Sequence, residues 1–514
     1  MTSPRTRVRL AASVLLLTAV TAACGLKPEA TDSLKAPNGG VAAAGTTVGG
    51  VPTDGSTAGA AAAGGAASGA AVAGGPAGSV PGGTTAAGGA GGTSTSTTSG
   101  SSHGGKTSNT AAGSAAACGV PSGGDTTGVT SSNINIGLHA PLTGTGTPFP
   151  NSSFQKGAGV FWQQPGHEVC GRKVTVEFKD DTYTPSGARQ VCSQMASRDF
   201  LVVGGGGTDQ IQACATEPTI QRNGVPYLSA GVTDNGLSGL SNYFAVSLTY
   251  AQQGSLVLKN AQQQGIANPA ASRVPSDNIT GQNAKWAIVT ANSPNFAGAR
   301  NGMMAALKAA HIPYKNYLVD QQGNYQANAT AFGQQLARDG FNTIFVDAAP
   351  GYFVFMTGGF YGAHLGQANW VGPGVTYTEV TVAQYVCTSS KDAISGHAWF
   401  LAPGPGIDHA TEDFKKAYNG SYDDIEWALW GLSETLWSLL KNASGNLTRE
   451  NFLSSTTRAV VPGATYAPVN FRDHGGHFGG TGAWVQRVTC SKTEPNQNQN
   501  GSWDTVGNNY LSLY

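Results

Sequence analysis

From Asn133 onward the chain alternates short apolar runs with amphipathic stretches. "NINIGLHA" reads as a strand, and "SSFQKGAGVFWQQ" sets Phe154, Ala158 and Phe161 or Trp162 along one side of a helix. A strand at "KVTVEFKDD", a helix near "PSGARQVCSQMAS", the strand "FLVV", a helix after a glycine run and the strand "VPYLSAG" follow. Such alternation of strand and helix predicts a parallel sheet covered on both faces by helices. The pattern restarts at "AKWAIVTAN" and runs through "FAGARNGMMAALKAAHI", "KNYLVD", "ANATAFGQQLARDG", "NTIFVDAAP", another helix to about Leu365 and the strand "NWVGPG". Two α/β units of similar layout predict two lobes with a cleft between them. Ligands of open α/β sheets sit beyond the carboxyl ends of the strands, so the loops after Val203, Ser229, Asn292 and Pro373 are candidate ligand-facing positions.

The chain ahead of this body has a different pattern. Arg5, Arg7 and Arg9 precede the apolar run "LAASVLLLTAV" and the small-residue stretch "TAAC" ending at Cys24, the three-part plan of a secretory signal over residues 1–23. The apolar run is too short for a stable spanning anchor. A cysteine just after small residues at the cleavage point resembles a lipobox, in which the thiol is acylated, although Thr21 stands where that motif more often has Leu. The alternative is a free or disulfide-bonded Cys24 after ordinary cleavage. Residues from about 36 to 117 are almost entirely Gly, Ala, Ser and Thr, with too few large apolar side chains to offset the entropy of ordering. Residues 24–117 are therefore expected to be a lipid-anchored disordered tether with an r.m.s. reach of about 50 Å; an O-glycosylated stalk is the alternative.

The chain carries no net charge, only 11% of its residues are charged and it has no basic run, so nothing points to a nucleic-acid partner. Setting aside Cys24, six of the seven cysteines remain, namely Cys118, Cys170, Cys192, Cys214, Cys387 and Cys490. An even number in an exported protein favours three disulfides, and neither a CxxC pair nor zinc-type Cys/His spacing is present. Cys192 and Cys214 fall on successive helices of the first unit and are placed to meet.

The succession "NINIGLHAPLTGTG", "KVTVEFKDDTYTPSGARQVCSQM", "FLVVGGGG" and "NGVPYLSAGVTD" resembles the first lobe of the leucine/isoleucine/valine-binding type of ABC-transporter substrate-binding protein. "WAIVTANSPNFAGARNGM" and "FNTIFVDAAPGYFVFMTGGFYGAHLGQANWVGPG" resemble its second lobe, and "APVNFRDHGGHFGGTGAWVQRV" its C-terminal hairpin. The resemblance implies a type I periplasmic-binding-protein-like fold: two Rossmann-like lobes, each a mostly parallel sheet flanked by helices. It also implies three crossover segments, near residues 245–252, 392–395 and 461–468. The bilobal domain is expected at 118–490, with lobe one at about 118–250 and 395–463, lobe two at about 251–394 and 464–490, and a C-terminal tail at 491–514. It implies as well a monomeric receptor without cofactor or metal, held at the outer face of the membrane, that closes on a small ligand and hands it to ABC permease subunits. By the same resemblance Cys387 and Cys490 share lobe two, leaving Cys118 and Cys170 near the start of lobe one.

In "FLVVGGGGTDQIQACA", Phe200 to Ala215, strand, glycines and helix start form the usual cradle for an anion. No Lys follows the glycines, and Asp209 sits where it would oppose a phosphate, which argues against a nucleotide. A single carboxylate needs only backbone N–H groups and a hydroxyl. Carried over from the family, the carboxylate site is Thr208, with Gly207 or Gln210 beside it, then Ser229, Ala230 and Thr233. The alternative is that the glycines serve only close helix packing. Phe149 matches an aromatic of the family's first ligand loop, and Phe296 the second-lobe tyrosine that closes over the ligand. Two positions depart from the family: Gly374 replaces the acidic partner of a ligand ammonium, and Ala349 replaces a tyrosine. Burying an ammonium without a counter-charge costs several kcal/mol, so either Glu379 or Asp347 supplies the charge or the ligand is not an α-amino acid.

An enzyme reading starts from Ser153–Lys156, an SxxK match, and Ser276–Asn278, "SDN", two of the three motifs of penicillin-recognising serine enzymes; the third, KTG, is missing. Asp473–His477, "DHGGH", reads as a solvated hairpin rather than a metal pair. Trp427, Trp430 and Trp437 are at helical spacing and predict a core-facing helix. Three function classes follow: a solute-binding receptor of an ABC importer, a ligand-sensing or adhesive surface protein on the same fold, and, most remotely, a serine hydrolase.

Overall fold

The computed structural model describes residues 121–144, 152–230, 235–267, 284–321, 324–374, 380–494 and 497–514. The expected signal peptide, tether, Cys24 and Cys118 lie outside them. In the first lobe β1 (Asn133–Ala140), α1 (Ser152–Val160), β2 (Lys173–Asp180), α2 (Pro185–Met195), β3 (Leu201–Gly204), α3 (Thr208–Ala215), α4 (Pro218–Arg222), β4 (Tyr227–Ser229) and β5 (Tyr243–Ala245) succeed one another. The sheet order is β2-β1-β3-β4-β5, every pair parallel. The apolar run at Leu201–Val203 is buried on both faces, as a parallel strand between two helical layers must be.

The second lobe repeats the plan with α5 (Tyr250–Gln263), β6 (Trp286–Ala291), α6 (Ala297–Ala309), β7 (Tyr314–Val319), α7 (Tyr325–Arg338), β8 (Thr343–Asp347), α8 (Pro350–Gly362), β9 (Asn369–Pro373), α9 (Val380–Ser390) and β10 (Ala398–Ala402). The chain then returns to the first lobe through α10 (Glu412–Ala417), α11 (Asp424–Ala443), α12 (Arg449–Thr456) and the short pair β11 (Val460–Val461) and β12 (Val469–Asn470). It ends on β13 (Gly482–Thr493) and β14 (Asn500–Ser512). The second sheet has the order β14-β13-β10-β9-β8-β6-β7. Its parallel part, β7-β6-β8-β9-β10, thus has the first lobe's order, and β13 and β14 extend it antiparallel.

Each lobe has its own core. Ile134, Ile136 and Phe200 pack with Trp427, Trp430 and Phe452 of the returning helices in one, and Phe353, Trp370 and Phe400 pack in the other. The tryptophan helix is α11, started by a capping box in which Asp423 accepts from Glu426 N–H and Glu426 reaches back. Trp430 packs edge-on against Phe161 and Phe414, so the spacing did report a core face.

The lobe boundaries differ from expectation. The first crossing falls between β5 and α5, within 245–252 as expected, but β10 still pairs with β9, so the second crossing follows Ala402 instead of 392–395. Val469 and Phe471 pack in the first-lobe core and Phe478 bridges to Ala245, so the last crossing lies at about Gly480 instead of 461–468. Residues 491–514 are not a tail: β14 pairs with β13, and Trp503 is buried against Phe400. Two disulfides join Cys192 to Cys214 and Cys387 to Cys490, as paired from the sequence and the resemblance. Cys170 is disulfide-bonded as well.

Candidate functional site

In a sheet of order 2-1-3-4-5 the loops diverge where the order reverses, between the first and third strands, and open a crevice there. The first lobe reverses between β1 and β3 and the second between β6 and β8. The site is therefore built from the carboxyl ends of these four strands and the helices that start there.

On the first lobe, β3 leads through three glycines into α3. Gly207 holds φ at +80°, a conformation that side-chain-bearing residues rarely adopt, so this turn favours glycine. Thr208 becomes the first residue of α3 and is buried. The loop after β1 folds back on Asp180, which accepts from Leu142 N–H at 2.9 Å and from the Thr143 hydroxyl at 2.6 Å. Burial works to raise the Asp180 pKa, but these bonds and one from Thr182 outweigh it and hold the carboxyl below its ordinary value. Behind the strands, buried His139 bridges Asp181 at 2.8 Å and the Tyr227 hydroxyl at 2.6 Å, fixing β1, β2 and β4 together.

Two contacts reach across to the second lobe. Tyr250, the first residue of α5, is set by a capping box of Thr249 and Gln252, and its hydroxyl lies 3.5 Å from that of Thr208. Burial, and then the charge of Asp347, push the Tyr250 pKa far up, so the group is a neutral hydroxyl at any physiological pH. Asp209 accepts hydrogen bonds from Asn295 Nδ2 and, at 3.4 Å, from the Ser293 hydroxyl, both on the loop after β6; Asn235 donates to Asn295 in turn. On the second lobe Asp347 closes β8 and is buried, and burial alone pushes its carboxyl well above the ordinary range.

Of the residues expected at the site, Thr208, Ser229 and Ala230 come together at neighbouring strand ends of the first lobe, and Phe296 stands half-buried at the start of α6 on the second. The Ser229 hydroxyl is bonded to that of Tyr243 at 2.8 Å, and the Ala230 carbonyl accepts from Ser247. Phe149, Thr233 and Glu379 lie outside the described residues. Gly374 has a steric reason: a Cβ there would sit 1.8 Å from the Leu401 carbonyl oxygen, so no side chain fits. The cross-lobe pairs of Asp209 and Tyr250 escaped the sequence, Asp209 because it was weighed only against a phosphate. For Tyr250 the "TYAQQ" cap was the available signal.

The serine-hydrolase motif is not assembled. The Ser153 hydroxyl donates to Asp423, while Lys156 pairs with Glu426 at 2.8 Å, so hydroxyl and amine serve two different carboxylates in the α1–α11 contact. "SDN" lies outside the described residues. In "DHGGH", Gly475 and Gly476 both hold positive φ and make the turn, Asp473 pairs with Arg472, and His477 bonds the Tyr243 carbonyl. Among the described residues, the two clusters with metal-like proximity each contain a disulfide, whose sulfurs are already committed. A hollow of 640 Å³ lined by His364, Leu365 and Lys391 follows the ends of α8 and α9, ahead of the amino-terminal ends of β9 and β10 and so away from the carboxyl ends that build the site.

A model of the periplasmic binding protein family matches residues 133–494. Among solved structures, the chain is similar to a fatty acid ABC transporter substrate-binding protein from Thermomonospora curvata, with 16% identity and a TM-score of 0.60 over 76% of this chain and 94% of that one. It is also similar to a solute binding protein of an ABC transporter from Rhodopseudomonas palustris in complex with 3,4-dihydroxy benzoic acid, with 15% identity and a TM-score of 0.58 over 74% and 98%. A third is a branched-chain amino acid transporter substrate binding protein from Streptococcus pneumoniae in complex with isoleucine, with 16% identity and a TM-score of 0.53 over 73% and 100%. At these identities the likeness is one of fold. No curated protein matches the chain.

Proposed function

This chain belongs to the periplasmic binding protein family, a family of ABC-transporter-type solute-binding receptors, and on that premise we propose that it captures a small carboxylate-bearing ligand between its lobes for an ABC importer. The observation that carries this reading is the meeting of the two switch points, where Thr208 faces Tyr250 and Asp209 holds Asn295. A ligand seated there touches both lobes and so favours the closed arrangement, which is what delivery to a permease requires.

The carboxylate is placed on the first lobe, at the start of α3. Thr208 and the backbone at Ser229 and Ala230 are its partners, with Phe296 closing over the rest of the ligand; Thr233, Phe149 and Glu379 join this proposal on the family resemblance alone. Fatty acids, 3,4-dihydroxy benzoic acid and isoleucine, named for the three similar structures, share a carboxyl group and little else, which supports this end of the ligand before any other. Export, acylation of Cys24, the tether and a monomeric state complete the reading: a receptor held at the outer membrane face with room to meet its permease. No helix of the described residues is long and apolar enough to cross a membrane.

A thermal-shift screen of the full chain against amino acids, their deaminated acids, amides and aromatic acids tests it. A ligand at about 100 times its dissociation constant adds about 2.7 kcal/mol of stability. Stabilisation by at least one carboxylate, lost in Thr208→Val, is expected; stabilisation by amides alone would overturn the carboxylate placement.

A further inference from the structure

Within the reading above, and resting on it, we propose that Asp347 and Thr290 form the second-lobe half of the ligand site and take the ammonium group of an α-amino acid, in place of the acidic side chain that Gly374 cannot carry. The two residues are register partners at the carboxyl ends of β8 and β6, the strands that flank the second lobe's switch point. Their strands run about 4.8 Å apart, so one small group reaches both side chains.

Their direction follows from the strand period. Phe345 and Ile288, two residues earlier on each strand, pack in the cluster that contains Tyr250, Leu256 and Met303. Asp347 and Thr290 therefore stand on that same face, one step nearer the cleft, beneath the first residue of α5. The Tyr250 hydroxyl lies 3.5 Å from that of Thr208, and the Asp347 carboxyl is near enough to bear on it when ionised, so Tyr250 stands between the second lobe's switch point and the proposed carboxylate site of the first. An α-amino acid presents its two charged groups across that short distance.

Among the described residues, two fully shielded atoms of these side chains, Asp347 Oδ2 and Thr290 Oγ1, find no hydrogen-bond partner. An unsatisfied buried polar atom is costly, and two on adjacent strand ends at a switch point mark a place where a ligand group completes the bonding. A carboxyl and a hydroxyl side by side suit a cation with several N–H donors.

The protonation state gives the proposal its signature. Burial alone raises the Asp347 carboxyl well above its ordinary range, which favours the protonated form where no cation stands beside it. The titratable group facing it is Tyr250 on α5. The buried face of α6, Ala299, Met303 and Leu307, and the residues of β9, carry none. An arriving ammonium stabilises the carboxylate, and the carboxyl proton leaves to solvent. Amino-acid affinity accordingly rises with pH from the acid side.

The test is calorimetry of the full chain with matched pairs, such as leucine and 4-methylpentanoic acid or phenylalanine and 3-phenylpropanoic acid, in two buffers of different ionisation enthalpy. The expected result is that an amino acid binds more tightly than its deaminated partner and releases about one proton per ligand, and that Asp347→Asn weakens it by at least about thirtyfold and abolishes the release. The wild-type proton count needs no variant and stands even if Asp347→Asn folds poorly. If the deaminated acids bind equally well or better, or an amino acid binds without proton release, this proposal falls while the carboxylate receptor stands. Binding of neither class would overturn both.

Discussion

At the residue scale, the departure from the family at Gly374 has a cause that lies in packing. The end of β9 lies so close to β10 that even a methyl group would overlap the Leu401 carbonyl. Gly374→Glu is therefore expected to cost more than about 2 kcal/mol and to lower the thermal midpoint without improving amino-acid binding. A well-folded Gly374→Glu that bound amino acids more tightly would contradict this account. His397, buried ahead of β10 and bonded to Asn369 at 3.1 Å, gives a pH-dependent term. Burial, and then Arg487, lower its pKa to about 4, below the unfolded value of about 6.5. The stabilisation of its neutral form is fully present above that unfolded value and is lost as pH falls through it toward 4, up to about 3 kcal/mol. The midpoint of His397→Gln should fall less steeply than that of the parent between pH 6.5 and 4, as thermal melts at several pH values will read.

At the element scale, function turns on which loops leave the strand ends. The start of α3 and the loop after β6 are joined by Asp209, Ser293 and Asn295, so these bonds link one lobe to the other. Asp209→Ala removes them and leaves the proposed carboxylate partners in place. Ligand affinity is expected to drop about two- to tenfold with unchanged folding stability, measured by calorimetry and melting; an unchanged affinity would show that the contact does not contribute to closure. Most strands and helices were legible in the sequence because parallel strands buried on both faces read as short apolar runs, as at Leu201–Val203 and Ile344–Val346. β14 was not, since only Trp503, Val506, Tyr510 and Leu511 interrupt a stretch rich in Asn, Gly and Ser that carries a turn-like composition. The second crossing was misplaced for a related reason: β10 is one more buried apolar strand, and nothing local in "AWFLA" tells which lobe it joins. Of the candidate site, the sequence named loops whose residues Thr208 and Ser229 the structure brings to neighbouring strand ends of the first lobe, with Phe296 at the start of α6. Asp347 was already a candidate counter-charge in the sequence, whereas its partner Thr290 emerged only once register paired the two across strands far apart in sequence.

At the scale of the whole molecule, the chain repeats one strand order twice and turns the two switch points toward each other. The returning helices α10 to α12 and the β13–β14 pair divide between the lobes, so each lobe is completed by sequence from both halves of the chain. Three crossings tie the halves, and motion about them is the movement that capture and release demand. The disulfides are consistent with such motion: Cys192–Cys214 closes within the first lobe and Cys387–Cys490 within the second, so neither bond spans the cleft. The measurement that tests the central claim most directly is a calorimetric titration of the full chain and of Thr208→Val with the carboxylic acids and amino acids of the panel. The account predicts saturable one-to-one binding of at least one of them to the parent chain, weakened at least about tenfold in Thr208→Val. No binding by any carboxylate, or binding that Thr208→Val leaves untouched, would contradict capture at the meeting of the two switch points.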